Sequence, residues 1–387
     1  MVGTMKVCYI GEFPLPNHSP GAGPENVLYN LVKGICKSNN NIDVSIVTIR
    51  NDVTNPFTHE YFSNVPVHYI PSFKLLPRSF GDPIKIRKFI EENDFDLIHA
   101  HYPIALAKIM DMDIPKILTL HGIFHIEKKF VKNPLTRLLY HDYNTYMLKK
   151  ILSKLDGFVA ISPYVIDILK EMNTYDKMNG IFQINNPIDE LFFSISSTKK
   201  DKSNFIIYPA RITERKNQLA AIEVIKLVKE KVPDVKLILT GGSDKTYLEK
   251  VNESIIKNNL TQNVEYLGKV SRDKILELYQ KASIVYLLSN QETQPMSIIE
   301  SMATGTPVIV SKINSNKYLV ENGVNGYLMD QNDPEKIAEC TVELLANKEK
   351  RVKMGECARH IAQNKYNSDI IVEQTLEMYK KILGVKQ

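Results

Sequence analysis

Two glutamates, Glu292 and Glu300, stand eight positions apart in QETQPMSIIESMATGTPVIVS, residues 291–311. Glu292 falls in the loop after the strand-like run SIVYLLS, while SIIESMAT reads as a helix with Glu300 in its first turns. A carboxylate just inside a helix start suits the macrodipole and can accept hydrogen bonds from the vicinal hydroxyls of a ribose or a sugar. Spacing alone would leave Glu300 an ordinary helix-start acid. A second group, Arg211, Arg215 and Lys216, follows NFIIYPA in the turn that leads into the apolar-periodic RITERKNQLAAIEVIKLV. Cations at a helix start oppose the macrodipole, so three of them make sense when an anion lies between them and the free N–H groups, as phosphates are held. A solvated basic loop is the other reading, and Arg215 carries the least weight of the three.

His121 ends the run KILTL, and Gly122 after it lets the backbone turn and leaves the imidazole at a sheet edge. That edge is where ligands of open α/β sheets bind, so His121 is read either as a functional imidazole or as a packing residue. His99 and His101 in DLIHAHYP read as structural. The loop PNHSPGAGPENVLYNLVKGI carries Gly21 and Gly23, but Asn26 occupies the third glycine position of a dinucleotide fingerprint, which argues against a dehydrogenase. A glycine turn at Gly23 that brings amides to a phosphate or sugar stays open, as does a merely flexible loop. The paired acids Asp94 and Asp96, and Asp111 and Asp113, precede strands and so fall at the wrong sheet edge for a metal site; no metal is expected.

The elements that must position these residues are legible as short β-branched runs with helical-period stretches between them. They are KVCYI, VSIVTI, VPVHYI, DLIHAH, KILTLH and GFVAIS, then, after about residue 200, NFIIYPA, VKLILTGG, VEYLG, SIVYLLS and PVIVS. Such alternation predicts α/β architecture with two doubly wound parallel sheets in series, and 387 residues with 43% hydrophobic content suit two cores. IFQINNPIDELFFSISSTKKDKSN shifts from apolar to lysine-rich and places the boundary near 190–203. The tail YNSDIIVEQTLEMYKKILG has helical spacing and is expected to pack back on the first domain.

Composition narrows the partners. A formal charge of +5, from 49 Lys and Arg against 44 Asp and Glu, falls short of a nucleic-acid-binding stripe and fits an anionic small ligand or an acidic membrane surface. Cys8, Cys36, Cys340 and Cys357 lack metal-type spacing and fit a reducing, cytoplasmic setting. The N-terminus reads as neither signal peptide nor anchor, and no apolar run reaches the ~18 residues that span a bilayer. EKKFVKNPLTRLLYHDYNTYMLKKILSKL mixes lysines with aromatic and leucine side chains. It reads as a helix lying on an anionic bilayer, at the inner face of the membrane, or as the domain's own amphipathic connector.

The stretch from Glu292 to Pro307 resembles the E-x7-E and E-A-M-A-x-G-x-P-V-I signature of the GT-B glycosyltransferases of family 4 (group 1), with SMATGTPVI as the specific match. DLIHAH, TLHG, VAIS, NNPID, YLGKV and NGVNGYL extend the resemblance along nearly the whole chain. It implies Rossmann-like domains facing a central cleft, with residues 1–190 holding the acceptor, 191–365 the sugar nucleotide, and 366–387 a terminal helix. The implied activity is metal-independent transfer of a sugar, with retention, from a UDP- or GDP-sugar to a hydroxyl of a polysaccharide, glycolipid or small molecule, with no other cofactor. The resemblance gives Glu300 the nucleotide ribose, Glu292 the donor sugar's hydroxyls, and Arg211 and Lys216 the diphosphate. Gly268 and Val270 would lie beside the base, Gly23, Pro295, Met296 and Ser297 would line the donor, and His121 would touch the transferred sugar. Thr293, Gln294 and Pro295 stand where the family often has Gly-Phe-Gly, and Pro187 stands for a usual hinge glycine, departures that bear on donor choice. A nucleotide-sugar epimerase and a non-catalytic sugar-nucleotide sensor are the alternatives.

Overall fold

The computed structural model describes residues 4–21, 23–38, 41–62, 64–72, 78–195 and 204–384. The chain divides into two compact units, Met1–Pro187 with Ser368–Gln387, and Ile188–Asn367. The division thus falls just after Pro187, and the terminal helix Ser368–Ile382 belongs to the first unit. Glu190–Ser194 forms a short 3-10 turn, and the lysine-rich part of the expected linker, 196–203, lies outside the described residues.

The first unit is built on eight strands: β1 (Met5–Ile10), β2 (Ile42–Arg50), β3 (Phe57–Tyr61), β4 (Val65–Pro71), β5 (Leu97–Ala100), β6 (Lys116–Leu120), β7 (Gly157–Ala160) and β8 (Ile181–Gln183). Their order is β3-β4-β2-β1-β5-β6-β7-β8, parallel throughout except for β3, which pairs antiparallel with β4. The central strands are β-branched and buried on both faces, as a sheet covered by helices on each side requires. In register, Tyr9 of β1 faces His99 of β5. The terminal helix is tied to this core through Tyr379, whose hydroxyl lies 2.5 Å from that of Tyr9 and 2.6 Å from Nδ1 of His99. The basic segment after residue 127 is not the single helix expected from its spacing. Asn133 caps a short turn at Pro134–Thr136, a π-helical turn spans Arg137–Asp142, and a regular helix runs only over Tyr143–Ile151. Proline at position 134 lacks the N–H that would have continued a helix from Phe130.

The second unit carries β9 (Phe205–Pro209), β10 (Lys236–Thr240), β11 (Val264–Tyr266), β12 (Ile284–Leu287), β13 (Val308–Ser311) and β14 (Gly326–Met329), in the order β11-β10-β9-β12-β13-β14 and parallel throughout. Helices of this unit start on side-chain caps where the sequence supplies them: Asp244 accepts from Tyr247, Ser271 from Lys274, and Asp333 from Lys336. In each unit the winding reverses once, between β1 and β5 and between β9 and β12. Loops leaving the carboxyl ends of those strands are therefore splayed apart, which opens room for a ligand at each reversal.

Candidate functional site

In the second unit the reversal between β9 and β12 brings the cationic turn against the first glutamate. After β9 the chain makes a 3-10 turn at Glu214–Lys216, passes through Asn217 in the left-handed region (φ 50°), and enters the helix Gln218–Lys231. Asparagine tolerates that conformation better than most side chains do. The turn is pinned to the loop after β12: the Asn290 amide donates to the Arg215 carbonyl at 2.8 Å, and Nδ2 of Asn290 donates to the Glu214 carbonyl at 2.9 Å. Tyr208, buried on β9, donates its hydroxyl to the Lys216 carbonyl. So held, Lys216 Nζ lies 2.5 Å from Oε1 of Glu292, and a guanidinium nitrogen of Arg215 lies 3.5 Å from Oε2 and donates to the Gln291 carbonyl at 3.1 Å.

Glu292 is only 4% exposed. Burial pushes its carboxyl upward, but the Lys216 ammonium, then the Arg215 guanidinium, outweigh it and hold the group below its ordinary value. Two cations against one carboxylate leave a positive excess at this spot, and Arg211, exposed in the same turn and with no ion-pair partner among the described residues, adds to it. Arg215, given least weight from the sequence, is thus the second cation at Glu292. For Glu300 the helix-dipole argument does not apply. The helix starts at Met296, so Glu300 lies in its second turn, beyond the reach of the terminal dipole. Its carboxyl is instead set by burial, which pushes it up to about 7 against the pull of the Tyr279 hydroxyl, 3.0 Å away, and of the Arg272 charge. Arg272 is ion-paired with buried Asp189, which fixes it beside this helix.

Of the other donor-side expectations, Pro295, Met296 and Ser297 form the buried entry of that helix, and Tyr279 also donates to the Ser297 carbonyl at 3.1 Å. Gly268 follows β11 with φ 70°, open on the side where a Cβ would stand, and its carbonyl accepts from Gly241 at 2.8 Å. Val270 lies two residues on and is half-buried.

In the first unit the reversal between β1 and β5 gathers histidines. His121, at the end of β6, places Nε2 2.9 Å from Nδ1 of His101, at the end of β5. Burial pushes His121 down to about 4, so the imidazole is neutral at physiological pH. His99 is saturated, with Tyr379 on Nδ1 and Thr119 on Nε2 at 2.7 Å. It is structural, as its sequence position suggested. His101 is more than that, because it holds His121; nothing in a linear sequence links residues twenty positions apart in this way. Gly23 sits at the start of the helix Pro24–Lys37 with φ 78°, a backbone only glycine adopts without strain, and nothing lies within 4 Å of the missing Cβ.

Among the described residues no group of three or more His, Cys, Asp or Glu is placed to hold a metal ion. The paired acids are engaged elsewhere: Asp96 accepts from the Lys6 amide, and Asp111 pairs with Arg87. No described helix is long and apolar enough to cross a membrane.

The family described as glycosyl transferases group 1 matches residues 189–361, and that described as glycosyltransferase family 4 matches residues 21–190. An uncharacterized glycosyltransferase of Methanocaldococcus jannaschii is 27% identical over 361 residues, covering 91% of this chain and 93% of that protein. Sucrose-phosphate synthase from Thermosynechococcus elongatus superposes with a TM-score of 0.79 at 18% identity, over 99% of this chain and 100% of that one. Anabaena HepE, in a complex with UDP and glucose, gives a TM-score of 0.70 at 18% identity, over 97% and 99% of the two chains. The two matches follow one another along nearly the whole chain. The protein belongs to the group 1, family 4 glycosyltransferases, enzymes of GT-B fold.

Proposed function

We propose that this enzyme transfers a sugar from a nucleoside diphosphate sugar to an acceptor hydroxyl, with retention at the anomeric carbon and without a metal ion. The observation that carries the reading is the cationic excess of Lys216, Arg215 and Arg211 around a single carboxylate, at the start of the helix Gln218–Lys231. As the bond from the anomeric carbon to the diphosphate breaks, negative charge grows on the leaving group. Cations and free helix amides already in position lower the barrier where that charge appears. Arg211 and Lys216 take the diphosphate, in the place a divalent cation would otherwise fill.

Glu292 then has two tasks. It keeps Lys216 and Arg215 oriented, and its oxygens accept hydrogen bonds from hydroxyls of the donor sugar. Glu300 accepts from the ribose diol, Gly268 and Val270 flank the base, and Pro295, Met296 and Ser297 line the donor. Gly23 brings backbone amides to the donor, and neutral His121 touches the transferred sugar. That a relative in fold is held with UDP and glucose supports a UDP-sugar as the first donor to try.

The acceptor is a carbohydrate or lipid-linked hydroxyl. Leu135, Leu138, Tyr140 and Tyr146 are exposed among the lysines of the 127–154 segment, a composition suited to peripheral contact with an anionic bilayer. The decisive experiment is incubation with a panel of UDP-, GDP- and ADP-sugars in excess chelator, scored for nucleotide release and for the anomeric configuration of the product. Inverted product, or release that begins only when Mg²⁺ or Mn²⁺ is supplied, would overturn the reading.

A further inference from the structure

His101 opens the loop after β5, where its own amide donates to the Ile10 carbonyl at 2.8 Å and so locks its backbone to β1. Its ring packs between His99 and His121, with centroids 5.1 Å and 4.9 Å away, and edge-on to Tyr9 at 6.0 Å. Both nitrogens of His99 are already engaged, so His99 cannot serve His101. One nitrogen of His101, Nδ1, meets Nε2 of His121; the other, Nε2, is buried and makes no hydrogen bond to any described residue.

Between two neutral imidazoles a single hydrogen bridges the facing nitrogens, and two arrangements are open. If His121 donates from Nε2, the proton of His101 must sit on its own Nε2, a buried N–H with no protein acceptor. If His101 donates from Nδ1, only a lone pair of its Nε2 goes without a partner. Orphaned buried N–H groups are the rarer of the two defects. The second arrangement also commits His121 to carrying its proton on Nδ1, the nitrogen not engaged by His101.

We infer that His101 is a positioning residue that fixes the ring and the tautomer of His121, so that His121 presents an N–H, a hydrogen-bond donor, to the substrate. The recognised group is accordingly an acceptor oxygen, such as a hydroxyl or ring oxygen of the transferred sugar. This rests on the reading that His121 touches that sugar.

The direct test is side-chain ¹⁵N NMR on the full chain labelled at histidine. His121 should show the pattern of a protonated Nδ1 and a bare Nε2; a proton on Nε2 overturns the inference, whatever any variant does. Kinetics give the second arm. His101→Leu removes the donor and should lower kcat by about 10- to 100-fold, the scale on which losing an orienting partner costs a functional imidazole, with the Kd of the bare nucleoside diphosphate unchanged. His101→Asn returns an N–H near the Nδ1 position and should restore most of the loss. Equal kcat in wild type and His101→Leu overturns the inference while a silent His121→Ala leaves the proposed function standing. Full turnover in His121→Ala removes the contact of His121 with the sugar, and with it the inference, while the transfer reaction itself stands.

Discussion

Lys216 Nζ stands 2.5 Å from Oε1 of Glu292, joining the loops after two adjacent strands at the point where the second sheet reverses its winding. Neither group is a surface charge: Lys216 is 13% exposed at its side chain and Glu292 only 4%. A pair so placed has lost most of its hydration, and removing one partner leaves the other buried and uncompensated.

Stability should follow the titration of Glu292. Its folded-state value is depressed, so its contribution is present above the ordinary carboxylate value and is lost as the pH falls through the depressed one. Glu292→Gln should therefore be less stable than wild type at pH 7, by about 1–3 kcal/mol, and the difference should shrink as both are acidified. Urea unfolding across pH 3 to 8 reads this directly. A gap that stays constant with pH would show that the carboxylate charge is not what holds the turn.

Glu300 has the opposite sign. Burial raises it to about 7, so the folded state binds its proton more tightly than the unfolded chain does. The associated stabilisation is complete below the ordinary value and is lost as pH rises through 7. Glu300→Gln, which can still accept from Tyr279, should be the more stable protein at pH 8 by about 1–3 kcal/mol. Ligand binding should register the same proton. If ribose hydroxyls donate to this carboxylate, binding a nucleoside diphosphate at pH 6 should release about one proton and at pH 8 almost none. Calorimetry in buffers of different ionisation enthalpy measures it, and buffer-independent heats at pH 6 would remove the ribose from Glu300.

Arg211 is exposed, so truncating it costs little packing. Arg211→Ala should leave the melting temperature almost unchanged while lowering turnover by about 10² to 10³, the usual cost of losing one stabiliser of developing charge. Unchanged kinetics would remove its role at the diphosphate.

The segment around Leu138 should decide whether the protein touches a membrane. Leu138 is 59% exposed and Leu135 63%. Cosedimentation with vesicles containing anionic lipid should exceed that with zwitterionic vesicles, should weaken with salt, and should drop in Leu138→Glu. Equal, weak binding to both vesicle types would mark this segment as the domain's own connector.

Both sheets could be read from the sequence because their central strands are buried on both faces and so appear as unbroken β-branched runs, such as KVCYI and SIVYLLS. The strand β3, FTHEY, escaped because it is an exposed edge without aliphatic residues, and β14, GYLM, because it opens on glycine and holds no β-branched residue. The cationic turn and Glu292 were visible as residues just after strands. What stayed hidden depends on distance through space. Arg215 reaches Glu292 across 77 positions, His101 meets His121 across two strands, and Glu300 owes its raised carboxyl to burial, which outweighs the lowering pull of Tyr279 on another helix.

The initial rate of nucleotide release from a sugar nucleotide, in excess chelator and well below the unfolding temperature, compared between wild type and Lys216→Ala, bears most directly on the role of the cationic turn. Wild type should turn over without added metal, and the variant, shown to be folded by circular dichroism, should be slower by about 10² to 10³. Equal rates in the two proteins, or a wild type that stays silent until a divalent cation is returned, would contradict it.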